Sequence, residues 1–186
     1  METDAFFTPA GLRTSIEEYA SMLRTIYSQN TTRDLPSYVS LEEFALDFGR
    51  GFGYNRELPD DVARGEKKQC FMNAAHESLH SYGSLAYVEG FAFSKDLAFK
   101  IHHAWVVDED GSVFDPTWDY APGNALYFGI PFLDEYVRET LLREGYYGML
   151  SPTEMFNRHL MGLKDQPEEF LHPWFSSEIM ERRQAS

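Results

Sequence analysis

Cysteine is almost absent from this chain; Cys70 is the only one. That excludes an intramolecular disulfide, and also a cysteine-based structural zinc site, which needs two or more thiolates. Long apolar runs are missing as well. None approaches the roughly 18 residues a membrane span requires, so no transmembrane helix is expected. The opening METDAFFTPAGL has two acids before a short apolar pair and no basic residue, unlike a secretory signal, and the expected compartment is the cytoplasm. Basic residues are scarce: 16 Lys and Arg stand against 30 Asp and Glu, a net charge of −14. The excess sits mostly beyond Gln69, in residues such as Asp108, Glu109, Asp110, Asp115, Asp119, Asp134 and Glu135. Such a field disfavours nucleic acid and anionic membranes, and it would draw a cationic partner or substrate.

What is present suits one folded domain. The 186 residues are 43% apolar and 16% aromatic, too rich for a disordered chain. Repeats, low-complexity tracts and long linkers are not seen. We divide the domain into a helical N-terminal part (1–65), a core (66–132) and C-terminal helices with a tail (133–186).

Apolar spacing predicts a helix over Thr14–Ser28, with Pro9 in its approach. Ser40 followed by Glu43 has the form of a capping box for a second helix ending near Gly49–Gly53, and the polar stretch Tyr54–Gly65 reads as a loop. A third helix is expected from about Cys70 to Tyr82, stopping at Gly83. Its wheel gathers Phe71, Ala74, Ala75, Leu79 and Tyr82 on one face and Asn73, His76, Glu77 and His80 on the other. The period then changes to two: Leu85–Phe93 alternates large and small residues, and Ile101, His103, Trp105 and Val107 share one face of a following strand. Asp110-Gly111 marks the hairpin turn into Ser112–Phe114. An apolar run over Ala125–Ile130, helices over about Pro131–Glu144 and Thr153–Leu163, and a Pro-containing tail complete the chain. The fold class is α+β.

Chemistry enters through order. Cys70 opens a helix, whose free N–H groups and partial positive charge favour a thiolate and can stabilise an oxyanion. Lys67 and Lys68 add local positive charge. His103 follows mid-strand and Asp115 just after the partner strand, where a hairpin brings such residues side by side. A nucleophile, a base and a group to orient the base are what cysteine catalysis needs. Taken alone, a single cysteine is ordinarily a small buried hydrophobe.

These residues resemble the transglutaminase-like superfamily of cysteine enzymes, within the wider papain-like fold. The closer resemblance is to small phage-encoded proteins of that type, in which QC-aromatic-x-N-small, YVEGxA, HAWxVD, VxDPTW and YFGxPF follow one another. Here they read Gln69–Ala74, Tyr87–Ala92, His103–Asp108, Val113–Trp118 and Tyr127–Phe132. The likeness spans about residues 66–132, and Phe114 is a mild departure where the pattern often has an aliphatic residue. It implies a papain/transglutaminase-like fold with the cysteine helix packed on a small antiparallel sheet. It also implies a Cys70–His103–Asp115 triad and acyl transfer through a thioester onto a peptide, protein or small amide substrate. No cofactor is implied, and host cytoplasm would be the setting for a phage protein. Members without catalysis serve as binding modules. Gln69, Glu89 and Trp105 are weaker candidates for oxyanion or supporting roles; Glu89 reads equally as an exposed strand end, and Trp105 more readily as core.

One rival motif lies in the same helix. His76-Glu77-Ser78-Leu79-His80 matches H-E-x-x-H of zinc proteases. Its longer form needs a third His at position 86, where the chain has Ala86, and strands occupy the region where a downstream Glu ligand would sit. We therefore read His76 and His80 as surface residues and assign no metal.

Overall fold

A computed structural model describes residues 7–97, 99–150 and 160–185. It is an α+β structure in which a five-stranded antiparallel sheet carries helices at both ends of the chain. Helix α1 (Pro9–Asn30) starts earlier than expected, because Thr8 accepts the Gly11 N–H at 3.0 Å and Pro9 takes the first helical position rather than preceding the helix. Helix α2 (Leu41–Phe48) is capped by Ser40 through the Glu43 N–H. The Glu43 carboxylate does not close the expected capping box onto Ser40. It accepts the Val39 N–H at 2.7 Å and is held by Arg24 from α1.

The chain then enters β1 (Arg50–Tyr54), where the sequence reading placed only a helix end and a loop. Its glycines hid it: an Arg-Gly-Phe-Gly-Tyr stretch has little β propensity and is made a strand by pairing with β5 (Ala125–Phe132). Strands β2 (Ala86–Ser94), β3 (Ile101–Val107) and β4 (Val113–Phe114) complete the order β1-β5-β2-β3-β4. The apolar run over Ala125–Ile130 is thus a long inner strand, and it takes Pro131 and Phe132 from the expected helix, so α4 spans Asp134–Glu144. Gly90 and Gly129 face each other across β2 and β5. A Cβ on Gly129 would lie 2.7 Å from Cη2 of Trp105, so Gly129 makes room for the indole, while a Cβ on Gly90 would lie 2.4 Å from the Gly129 Cα.

Helix α3 (Cys70–His80) packs mainly along β3 and β2. Its buried side keeps Ala74 and Ala75, with Phe71 and Leu79 packed partly buried against the core, but is shifted from the expected one. Asn73 and Ser78 turn inward beside Ala74 and Ala75, while Tyr82 lies past the helix end and is fully exposed. Burial of the two polar residues is possible because both are hydrogen-bonded, Ser78 donating to Asp134 Oδ1 at 2.9 Å. The tail is a helix, α5 (Pro173–Ala185). Phe175 and Ile179 bury its inner side, and Arg182 donates to the Asp47 and Gly49 carbonyls at the end of α2, at 3.1 and 2.6 Å. Most of the expected helix over Thr153–Leu163 lies outside the described residues. No described helix is long and apolar enough to cross a membrane.

Candidate active site

Consecutive residues of a strand point to opposite faces. In β3 this sends His102 to the side of Glu89 and His103 to the side of Trp105 and Tyr127. The first turn of α3 meets both. Phe71 packs its ring 5.0 Å from that of His102, and the Cys70 sulfur is near enough to His103 to favour its charged form. The chain enters this helix sharply, with Lys68 at φ +66° and Gln69 outside helical geometry and without a side-chain cap. By helix geometry, the first N–H groups of α3, those of Cys70 and Phe71 among them, lack an intrahelical acceptor.

His103 Nε2 lies 2.7 Å from Asp115 Oδ2, with both residues buried. That contact leaves Nδ1 as the ring nitrogen for Cys70. Asp115 is held by four donors: His103 and the Tyr127 hydroxyl (2.8 Å) on Oδ2, and the Thr117 and Trp118 N–H groups (2.8 and 2.9 Å) on Oδ1. Burial alone would raise the Asp115 pKa, but the charge and hydrogen bond of His103 and the two backbone N–H groups win, and it is lowered. Burial likewise works against a charged His103. The Asp115 carboxylate and the Cys70 sulfur outweigh it and lift the imidazole to about 9. The Tyr127 hydroxyl, pushed well above its usual range by burial and by Asp115, stays a donor. Trp118 covers His103 face to face, with ring centres 4.2 Å apart and planes 21° apart.

The segments bearing Cys70 and Asp115 are laced together. Gly65 N–H donates to the Pro116 carbonyl at 2.8 Å, and Arg64 Nη1 to the Trp118 carbonyl at 2.6 Å. Asn73 Nδ2 bridges the Glu66 carbonyl and Thr117 Oγ1, at 2.8 and 2.9 Å. Sequence reasoning passed over Asn73 and Tyr127 although both lie within the quoted motifs. Asn73 stands one helical turn from Cys70, the available signal that it shares the cysteine's side.

The weaker candidates separate. Gln69 is exposed next to Cys70. Trp105 is wholly buried core, its ring 4.9 Å from that of Tyr127 and 6.1 Å from that of Phe52. Glu89 is not an exposed strand end: it is fully buried, on the face away from His103. His76 and His80 are exposed, their rings stacked 4.2 Å apart, and His80 Nδ1–H donates to the His76 carbonyl at 2.8 Å. Among the described residues no group of three or more His, Cys, Asp or Glu is placed to hold a metal ion. A cavity of about 210 Å³ is lined by Arg56, Arg64, Asp115, Trp118 and Tyr120 among others, but not by Cys70.

The arrangement can move a proton between a sulfur and an imidazole whose orientation and charge are held by a carboxylate. No protein-family model, curated protein or solved structure matches the chain significantly.

Proposed function

We propose that the protein is a cysteine-dependent acyl-transfer enzyme with a papain/transglutaminase-like fold, using Cys70 as nucleophile, His103 as general base and acid, and Asp115 as orienter. One observation carries this reading: a buried His103–Asp115 contact of 2.7 Å, with the sole cysteine at a helix start and near enough to the same imidazole to favour its charged form. In the proposed reaction the sulfur attacks a carboxamide or peptide carbonyl carbon, and a C–S bond forms. The oxyanion rests on the first N–H groups of α3. His103 protonates the leaving nitrogen as the C–N bond breaks, giving a thioester. Water or an amine then gives its proton to His103 while attacking the thioester, and the thiol is released. The net charge of −14 favours a cationic substrate. The likeness to phage-encoded proteins suggests a host protein or peptide, met in the cytoplasm.

A catalytically silent binding protein of the same fold is the second reading. It is favoured by the burial of Cys70, which is 8% exposed. Iodoacetamide alkylation of wild type and His103→Ala, followed by intact mass across pH, separates the two. Rapid alkylation that collapses in the variant supports the enzyme; slow alkylation indifferent to His103 selects the binding protein.

A further inference from the structure

The proposed chemistry leaves one buried charge unused. Glu89 is 0% exposed in the middle of β2, where a carboxylate is costly unless several donors meet it. Three do. The Tyr87 hydroxyl donates at 2.6 Å, and the Met149 and Leu150 N–H groups donate from 60 residues further along the chain, at 2.5 and 2.9 Å. His102 Nε2 stands 2.9 Å from Oε1 without hydrogen-bond alignment.

The segment gripped in this way borders the cysteine helix. Gly148 precedes it at φ +121°, a conformation that L side chains rarely adopt. A Cβ there would lie 3.7 Å from Glu89 Oε1, 3.8 Å from Phe71 Cδ1 and 3.4 Å from the Tyr146 ring. A side chain at Gly148 would therefore meet both Glu89 and the residue that follows Cys70. The Tyr87 hydroxyl, raised first by burial and then by Glu89, also feels Cys70 and Tyr146. All of these groups gather in one neighbourhood.

We propose that Glu89 is a positioning residue whose carboxylate clamps the Met149–Leu150 backbone beside the Phe71 side of the α3 start, making the Tyr146–Leu150 segment one wall of the approach to Cys70. The wall rests on the reading of Cys70 as nucleophile; the clamp does not. Glu89→Gln keeps the shape, but its NH2 opposes one of the backbone donors, releasing that N–H. Tyr87→Phe removes only the hydroxyl.

Two readouts on the full chain test this. One is hydrogen exchange at the Met149 and Leu150 amides. The other is the ratio of Cys70 alkylation rates with iodoacetamide and with a bulky N-aryl maleimide. In Glu89→Gln at least one of the two amides should exchange about tenfold faster with β5 unchanged, and the reagent ratio should move about threefold toward the bulky one, Tyr87→Phe falling between. General loosening would speed β5 exchange and move both reagents together. Unchanged exchange at both amides, an unchanged ratio or general loosening would overturn the proposal. Should Glu89→Gln not fold, Tyr87→Phe decides by the same readouts. Alkylation indifferent to His103 would refute the enzyme while leaving the exchange result to judge the clamp.

Discussion

His102 and His103 are adjacent in β3, and each stands against a buried carboxylate, Glu89 at 2.9 Å and Asp115 at 2.7 Å. The two sites differ in what satisfies the carboxylate. Asp115 is held by its own loop, through the Thr117 and Trp118 N–H groups, and by Tyr127 and an aligned His103. Glu89 is held by Tyr87 and by distant backbone at Met149 and Leu150, with its histidine misaligned. Only His103 is also shifted by the Cys70 sulfur. A buried acid beside a histidine is thus not enough to mark chemistry; the third partner and the source of the other donors decide.

Removing each acid should break the comparison most visibly. Glu89→Ala would leave two buried N–H groups and a hydroxyl without their acceptor, at a cost of about 3–5 kcal/mol in urea unfolding. The effect on the other side is chemical. His103→Ala should slow Cys70 alkylation at neutral pH about 100-fold or more, whereas His102→Ala should leave it within about twofold. Equal effects of the two histidines would dissolve the distinction.

The pH dependence of unfolding sharpens it. The His103 pKa is raised from 6.5 to about 9, so its contribution is complete below pH 6.5 and disappears as pH climbs through 9. The Asp115 pKa is lowered from 3.8, so its contribution holds above that value and is lost as pH falls through its folded pKa. Wild type should therefore hold a plateau between about pH 4 and 6.5 and lose on the order of 3 kcal/mol by the alkaline side of pH 9. Asp115→Asn should flatten that alkaline limb, as chemical denaturation at a series of pH values would show. Smaller still, Tyr127→Phe and Asn73→Ala should each cost about 1 kcal/mol, the first without unlacing the loops. A larger alkylation defect for Asn73→Ala than for Tyr127→Phe would show that the Glu66–Thr117 bridge matters more to the sulfur than the fourth donor on Asp115.

Legibility followed how local the cause is. Caps and periodicity announced α2, the start of α3 and the β3–β4 hairpin, because Ser40, Asp110-Gly111 and the alternation through His103 act over a few residues. Strand β1 and helix α5 were missed because their causes lie far off, in the edge of β5 and in the open carbonyls of α2. Asn73 was placed on the wrong side for the same reason: hydrophobicity sends an amide outward, and only Glu66 and Thr117 give it a reason to go in.

By itself the sequence settles that the chain has one thiol and therefore no internal disulfide, that its charge is strongly negative, and that Cys70, His103 and Asp115 fall in an order compatible with a helix start and a hairpin. The tertiary structure decided which buried carboxylate each of two adjacent histidines faces, how many donors hold each of them, and that Glu89 reaches across 60 residues to Met149. The physical reason is that strand alternation assigns a side chain only to a face. What stands on that face, and whether it leaves a buried charge satisfied, depends on packing between segments far apart in the chain.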